Sequence, residues 1–249
     1  HDLELLKSNV LSGMDVKIVD ESENFSTFIV TGPNSRNLLS EITDADLTLG
    51  WLTHQKAKVL NIPCMLARVS FAGELGWEIH VDNEDAPAIY SEIINREAKP
   101  FGMFALNSLR IEKGYKAWKG DLSTDYSLLE AGLDRFIKFD KEIEFRGKKA
   151  LQVERQRGSK KLFTILKVDT NGCDAPYMST IWHNGEVVGE VTSGAWGYRV
   201  NSSIALCMLK PELSTAGKVV EIEIYGQRCK ATVHGQDPLW DPQNLRIRK

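Results

Sequence analysis

The feature that most constrains the fold is a change in apolar periodicity near residue 160. Before this point, segments with helical spacing, such as Ile89, Ile93 and Ile94, alternate with segments in which every second residue is apolar. Beyond residue 161 the helical spacing disappears, and short strand patterns follow one another across tight turns. Asn184-Gly185 is the favoured pair for a type I′ turn and predicts a hairpin over residues 181–191. The pattern predicts an α+β region followed by a small all-β domain, closed as a barrel or folded as a sandwich.

A highly charged stretch, residues 141–161, lies between the two patterns and is typical of a linker. We therefore predict two domains, at residues 1–155 and 156–249. In the first domain, the patterns predict helices within residues 1–7, 32–42, 82–98 and 104–113, and strands at 16–19, 25–30, 58–59, 62–66 and 68–71. The strands at 16–19 and 25–30 are expected to form a hairpin. In the second domain, further strands are predicted at 162–168, 219–225 and 229–233.

Charge and composition exclude several classes of function. The 249 residues carry a net charge of −3, which gives no basic surface field for nucleic acid or for an anionic membrane. No stretch approaches the ~18 apolar residues of a membrane span, and no signal peptide is visible. Because the chain begins without Met, we expect that its true N-terminus is missing. The motifs of Rossmann and P-loop phosphate sites are absent from the sequence.

Cysteine and histidine spacing argues against a metal site. The five histidines are scattered without the spacing of metal ligands. Cys64, Cys173, Cys207 and Cys229 are far apart and form no CxxC pair. We expect each of them to be a small buried apolar residue, which indicates a reducing, intracellular compartment.

One acidic residue stands inside an otherwise apolar strand pattern. In the stretch SFAGELGWEIHV, Trp77, Ile79 and Val81 alternate with polar neighbours, so Glu78 and His80 are expected on the face opposite the core. A carboxylate is unusual in a strand interior. One interpretation is a solvated acid on a wet sheet face. The other is a pocket in which the carboxylate accepts two parallel N–H donors, such as the ring N–H and NH₂ of a 2-amino-4-oxo pterin.

Several separated motifs, in the right order, give the chain a family resemblance. They are GELGWE, NSLRIEKGYKAW, GDLSTDYSLLEAGL, FRGKKAL, WHNGEVVGEVTSGAWGY and DPLWDPQNLRIR. Together they resemble the folate-binding aminomethyltransferase family, which includes the T-protein of the glycine cleavage system. The style is closest to the C-terminal regions of dimethylglycine and sarcosine dehydrogenases.

The resemblance implies both a fold and an activity. The fold is an α+β folate-binding core, incomplete at its N-terminus here, followed by a C-terminal β-barrel. The activity is tetrahydrofolate-dependent transfer of a one-carbon unit from sarcosine, dimethylglycine or a glycine-derived aminomethyl group, forming 5,10-methylenetetrahydrofolate or a methylated folate. The alternative is a non-catalytic, folate-capturing module of a larger flavin-dependent amine dehydrogenase. FAD is then expected only in a separate upstream domain or subunit. The expected location is the cytoplasm, or the mitochondrial matrix in a eukaryote.

The resemblance also implies cofactor-binding residues. Glu78 takes the place of the acid that grips the pterin, and Phe71 stands where relatives often have a Tyr beside the folate. Tyr115 and Trp118 fall where the family lines its folate channel, and Lys161 falls near a basic residue that would meet the folate glutamate tail. The alternatives are core packing for the two aromatic residues and a solvated linker charge for Lys161.

Departures from the family pattern argue against a genuine T-protein. Leu106 stands where the T-protein has an Arg, and Arg135 stands where it has a Trp. The family's catalytic Asp belongs to a segment upstream of this chain, so no catalytic residue is assigned, and the fragment alone is expected to be inactive if that segment is required. Glu112 and Lys113 are expected to serve packing or an exposed ion pair of little energetic value.

Overall fold

The computed structural model describes residues 2–170 and 172–249, which divide into two compact units. The first unit contains the residues up to Ser70, Glu74–Pro100 and Arg248. The second contains Phe71–Gly73, Phe101–Ile247 and Lys249. The domain boundary between residues 155 and 156 stays a prediction.

The first unit is built around an antiparallel sheet. Its strands are β1 (Phe25–Thr31), β2 (His54–Val59), β3 (Ile62–Ala67) and β4 (Gly76–Asp82). They lie in the order β1-β4-β3-β2. Its helices are α1 (Asp2–Ser8), α2 (Ser35–Ser40) and α3 (Ala86–Asn95).

The predicted alternation of β4 is present in the structure. Trp77, Ile79 and Val81 are fully or almost fully buried, and they form one apolar core with residues of α2 and α3. Glu78 and His80 occupy the opposite face and are half-buried. The period of two in the sequence therefore sets which side chains the strand offers away from its core.

Two predicted strands of this unit are wrong. Residues 16–19 form no strand, and Val16 and Val19 are more than half exposed. The partner of β1 is β4 instead, because β4 offers a buried apolar face over the whole length of β1. Residues 68–71 also leave the sheet, since β3 ends at Ala67 and the chain turns there toward β4.

The second unit contains a closed antiparallel barrel. Its strands are β5 (Leu162–Val168), β6 (Thr180–His183), β7 (Glu186–Gly197), β8 (Ser202–Leu209), β9 (Val219–Ile224) and β10 (Gln227–Gly235). They close in the order β10-β5-β8-β7-β6-β9, which confirms the predicted barrel. The β6–β7 hairpin turns at Asn184 and Gly185, whose φ angles of 51° and 82° are the left-handed values of a type I′ turn.

Helices and short 3₁₀ turns accompany the barrel. The helices are α4 (Met103–Glu112) and α5 (Lys148–Arg157), and the 3₁₀ turns are Asp134–Phe136 and Pro211–Leu213. α5 lies inside the stretch predicted as a linker. It is held in place by buried Glu154, which accepts hydrogen bonds from Ser127 Oγ and Ser159 Oγ, each at 2.7 Å. High charge therefore marked a partly packed helix here and not a free linker.

Strand β8 is buried on both faces and was not predicted. Ala205, Cys207 and Leu209 belong to one apolar cluster of the barrel, while Ile204, Leu206 and Met208 belong to a second cluster that includes Ile111 of α4. Cys207 is fully buried, and this burial raises the pKa of its thiol. Cys173 is exposed, so the expectation of a buried residue is wrong for that cysteine. Among the helices of residues 2–170 and 172–249, none is long and apolar enough to cross a membrane.

Candidate functional site

Glu78 is held by a short chain of polar contacts on the outer face of β4. Its Oε2 lies 3.3 Å from His80 Nε2, and both side chains are a little over one quarter exposed. His80 Nδ1 lies 3.0 Å from Thr27 Oγ1 on the neighbouring strand β1. An imidazole that donates its Nε2–H to Glu78 and accepts the Thr27 hydroxyl proton satisfies both contacts. The carboxylate is thus oriented by its neighbours while part of it faces solvent.

The turn that leads into β4 requires its glycines. Gly73 has a φ of +70°, and a Cβ atom there would lie 2.9 Å from Lys113 Cβ. A Cβ atom on Gly76 would lie 3.0 Å from both Ser70 Cβ and Thr31 Oγ1. A side chain at Gly73 would therefore force a shift of its surroundings, and one at Gly76 would require its neighbours to move by a few tenths of an ångström. The GELGWE motif therefore encodes a close approach of the backbone to its surroundings.

Phe71 and Tyr115 stack on each other in the second unit. Their ring centroids are 5.9 Å apart and the ring planes differ by 12°. The Tyr115 N–H donates to Arg110 O at 2.9 Å, and Tyr115 O accepts from Arg110 Nη1 at 3.1 Å. Burial raises the pKa of the Tyr115 hydroxyl, so it stays protonated at neutral pH. The structure thus brings together two of the five residues expected to bind the cofactor.

A fully buried carboxylate, Asp121, fixes the segment that follows Tyr115. Its Oδ2 accepts from Arg110 Nη1 at 2.7 Å, from the Ala117 N–H at 2.7 Å and from Ser193 Oγ at 2.9 Å. Its Oδ1 accepts from Thr192 Oγ1 at 2.5 Å. Because both oxygens are engaged and the Arg110 charge balances the carboxylate, the burial of this acid is compensated. This network holds the backbone between Tyr115 and Trp118.

Glu112 and Lys113 also form buried ion pairs, so the expectation of an exposed pair is wrong. Glu112 pairs with Arg199 Nε and also accepts the Arg199 N–H at 2.6 Å. Lys113 Nζ donates to Asp241 O at 2.5 Å and lies 3.2 Å from Asp241 Oδ2. Both cations reach residues far along the chain, and sequence spacing gave no sign of these partners.

The backbone carbonyl of Glu112 also contacts the C-terminal segment. The Trp240 N–H donates to Glu112 O at 3.0 Å. The guanidinium groups of Arg199 and Arg246 each lie 4.7 Å from the centroid of the Trp240 indole ring. The SLRIEKG motif and the DPLWDPQNLRIR motif are therefore parts of one packed structure.

Trp118 and Lys161 have different surroundings. The Trp118 side chain is 66% exposed, so core packing is wrong for this residue. Lys161 Nζ lies 2.5 Å from Glu190 Oε1, which also accepts the Tyr126 hydroxyl at 2.9 Å. Burial and the hydrogen bond to Glu190 raise the pKa of Tyr126. Lys161 is therefore ion-paired within the protein and is not a free linker charge.

Lys161 also lines a polar cleft of about 470 Å³. The other residues lining it are Thr124, Asp125, Tyr126, Ser127, Glu130, Glu154, Arg157 and Lys160. In the part of the chain that the structure describes, no group of three or more His, Cys, Asp or Glu side chains is placed to hold a metal ion.

Comparison with protein families supports the resemblance of the motifs. The family model described as the GCVT N-terminal domain matches residues 1–141, and the glycine cleavage T-protein C-terminal barrel domain matches residues 160–241. The chain belongs to the glycine cleavage T-protein (GCVT) family. Glu78, Tyr115 and Trp118 lie within the first match, and Lys161 lies within the second.

Curated relatives of two kinds align with the chain. Dimethylglycine dehydrogenase of Rattus norvegicus is 36% identical over 259 residues, which is 100% of this chain and 30% of the relative. Sarcosine dehydrogenase of Mus musculus is 33% identical over 93% of the chain and 27% of its own length. An aminomethyltransferase of Bacillus velezensis is 30% identical over 88% of the chain and 61% of its own length. The chain thus spans less than a third of these dehydrogenases and about three fifths of this aminomethyltransferase.

A solved structure supports the fold. The glycine cleavage system aminomethyltransferase T from Bartonella henselae superposes with a TM-score of 0.76 at 22% sequence identity. The match covers 85% of this chain and 58% of that chain. At this identity the likeness concerns the fold alone.

Proposed function

We propose that this chain binds tetrahydrofolate and serves one-carbon transfer to it. The donor would be an amine such as sarcosine, dimethylglycine or a glycine-derived aminomethyl group, and the product 5,10-methylenetetrahydrofolate or a methylated folate. The observation that carries the proposal is the half-buried Glu78 carboxylate, which His80 orients on the non-core face of β4. Family membership and the folate-related motifs supply its context.

The chemistry of the donor set fits a reduced pterin. One oxygen of Glu78 faces His80, which leaves Oε1 and further lone pairs of the carboxylate for the ring N–H and the exocyclic NH₂. Within the second unit, the stacked Phe71 and Tyr115 and the exposed Trp118 are aromatic side chains of the kind that stack on a pterin or p-aminobenzoyl ring. Lys161 is already ion-paired with Glu190, so it would bind a carboxylate of the folate glutamate tail while keeping that pair.

Tetrahydrofolate, when bound, supplies the amine nitrogens that accept the one-carbon unit. The residues of this chain would bind and orient the folate and keep water from a reactive iminium or formaldehyde. The proposal gives the residues of this chain binding and orienting roles and names no catalytic residue.

A second candidate function is a folate-capturing module of a larger flavin-dependent amine dehydrogenase. The full-length alignment of this chain with 30% of the rat dimethylglycine dehydrogenase favours it. In that setting FAD would belong to a separate domain or subunit, and the mitochondrial matrix would be the site of action in a eukaryote. An assay for 5,10-methylenetetrahydrofolate with an amine donor separates the two: turnover by the chain, extended upstream where needed but without a flavin domain, indicates the transferase, and binding without turnover indicates the module.

Calorimetric titration with tetrahydrofolate tests the shared part of both functions. We expect Glu78→Gln to weaken binding by about 10- to 100-fold, because the lost charge-assisted hydrogen bonds are worth about 1.5–3 kcal/mol. Glu84→Gln, an exposed acid beyond the end of β4, is the matched control and should bind like the unchanged chain. Equal, substantial affinity in all three proteins would remove Glu78 as the pterin anchor. Absence of binding by an upstream-extended chain would overturn the folate function itself.

A further inference from the structure

The strands on either side of Glu78 offer it no polar side chain at its own position. Glu78 pairs with Ile29 of β1 and with Ala67 of β3. Directly paired residues of an antiparallel sheet lie on the same face, so two half-buried apolar side chains flank the carboxylate. Its polar contact comes along β4 itself, from His80, whose Nε2 lies 3.3 Å from Oε2. The orientation of the acid therefore depends on this histidine.

Thr27 determines which nitrogen of the His80 imidazole carries the proton. Thr27 and Met65 are the residues paired with His80 on the flanking strands, and of the two only Thr27 has a hydroxyl group. The Thr27 Oγ1 lies 3.0 Å from His80 Nδ1. A neutral imidazole has one donor and one acceptor nitrogen. When the Thr27 hydroxyl donates to Nδ1, the proton lies on Nε2, the atom that faces Glu78.

A glutamate held in one orientation binds a ligand more tightly than a mobile one. Ordering a flexible side chain during binding weakens affinity by about two- to tenfold. The contact with His80 restricts Glu78 before any ligand arrives. The carboxylate then loses less conformational freedom when it accepts a pair of N–H donors.

We propose that Thr27 and His80 are positioning residues for tetrahydrofolate, which act on the ligand only through the Glu78 carboxylate. The inference rests on the proposed function, since it concerns the same pterin anchor. Thr27 fixes the imidazole tautomer, and the His80 N–H holds Oε2. Oε1 and the remaining lone pairs are thereby oriented toward the ring N–H and the exocyclic NH₂. Both residues lie outside the GELGWE motif, which ends at Glu78.

Calorimetric titration of the intact chain with tetrahydrofolate measures the contribution of His80. We expect His80→Phe to weaken binding by about three- to tenfold, because Glu78 is then ordered only when the ligand binds. His80→Gln keeps an N–H donor near the place of Nε2 and should bind within about twofold of the wild type. Recovery by this conservative variant distinguishes the donor from the ring as the feature that binding requires.

Two variants of Thr27 test the tautomer in the same titration. Thr27→Val removes the hydroxyl group at nearly constant volume, and we expect it to weaken binding by about two- to threefold. Thr27→Ser keeps the hydroxyl group and should bind like the wild type. Thr232→Val changes an exposed threonine on strand β10 of the second unit and is the matched control.

A double-mutant cycle separates positioning from direct contact with the ligand. In the Glu78→Gln background, His80→Phe should weaken binding by less than about twofold further, because the carboxylate through which it acts is gone. Urea unfolding of each variant completes the cycle. Since Glu78 and His80 are both more than one quarter exposed, we expect the free energy of unfolding to stay unchanged while affinity falls.

The tautomer is measured without any ligand, by ¹⁵N NMR of the imidazole. The His80 signals are assigned by their loss from the spectrum of His80→Gln. At about pH 8.5, where imidazoles are neutral, we expect a proton on Nε2 and none on Nδ1. Thr27→Val should give a mixture of the two tautomers.

The possible results have distinct meanings. Wild-type affinity of His80→Phe overturns the positioning role and leaves the folate function standing. An undiminished effect of His80→Phe in the Glu78→Gln background also overturns it, since the imidazole would then contact the ligand directly. A proton on His80 Nδ1 in the free chain overturns the part assigned to Thr27. A wild-type chain that fails to bind tetrahydrofolate, even when extended upstream, overturns the proposed function and this role together.

Discussion

The charged residues at the two ends of the SLRIEKGYKAW segment differ in whether they have a partner of opposite charge. At its helical end, Arg110, Glu112 and Lys113 are all buried and all paired. At its aromatic end, Lys116 is half-buried, and no carboxylate of the described residues lies within 4.0 Å of it. Only a few residues separate the two ends, so the difference arises from the partners that the fold supplies and not from composition.

The contrast separates charges that the fold pairs with an opposite charge from one that it leaves without a carboxylate. Paired buried charges fix geometry, because breaking one leaves an uncompensated ion in a low-dielectric surrounding. A desolvated cation with only an aromatic ring as its partner costs stability, because the cation–π contact replaces only part of its lost hydration. The Asp121 network belongs to the first kind, and it holds the backbone from which Lys116 projects.

The largest change in stability is expected when the ion pair between Arg110 and Asp121 is broken. Asp121→Asn keeps the side-chain shape but leaves the Arg110 charge uncompensated, so we expect the free energy of unfolding to fall by about 3–5 kcal/mol. Urea unfolding followed by circular dichroism measures the change, with the exposed Asp140→Asn as control. A loss below about 1 kcal/mol would mean that the buried pair does not fix this segment.

The next variant removes the charge of Lys116, and we expect it to raise the free energy of unfolding. Lys116→Met should stabilise the chain at pH 7 by about 1–2 kcal/mol, because it removes a charge whose burial is unfavourable, offset by the lost cation–π contact with the Phe163 ring. The pKa of Lys116 is lowered from 10.5 to about 8 in the folded chain. Below pH 8, the destabilisation caused by burying the charged lysine is fully present. Between about pH 8 and 10.5 the unfolded chain binds more protons, so the stability of the wild type rises toward that of the variant.

Urea unfolding at pH 7 and pH 10 measures this convergence. Arg135 and Asp121 are the charged groups that act on Lys116, and Arg135 keeps its charge at both values, which isolates the titration of the lysine. A destabilised Lys116→Met at pH 7 would place Lys116 among the structural charges.

The smallest effect on stability is expected at Trp118. Its side chain is 66% exposed, so Trp118→Ala should change the free energy of unfolding by less than about 0.5 kcal/mol. If Trp118 stacks on folate, the same change should weaken tetrahydrofolate binding by about tenfold, as stacking is worth about 1–3 kcal/mol. Tyr225→Ala, at another exposed aromatic in the second unit, should leave binding unchanged. Unchanged affinity in both variants would exclude Trp118 from the folate surface.

Sequence reasoning succeeded where a local pattern determined the structure. The period of two in β4 predicted both the buried Trp77, Ile79 and Val81 and the outward Glu78. The Asn184-Gly185 pair predicted its hairpin because only positive φ angles close that turn. Strand β8 was not predicted, because side chains buried on both faces produce a continuous apolar run without a period.

The charged parts of the candidate site could not be predicted in this way. Asp121 resembles any loop acid until Arg110, Thr192 and Ser193 surround it, and the last two lie more than 70 residues away. Lys116 gave no signal either, because only the fold decides whether a carboxylate lies beside a buried lysine. The family resemblance supplied Glu78 and the aromatic residues but not the partners that distinguish these charges.

The link between helix α4 and the C-terminal segment has a consequence for biosynthesis. Glu112 O accepts a hydrogen bond from the Trp240 N–H, and Lys113 pairs with Asp241. These contacts join residues 128 positions apart, and translation proceeds from the N-terminus. The end of helix α4, directly before Tyr115 and Lys116, therefore completes these contacts only after residue 241 has left the ribosome.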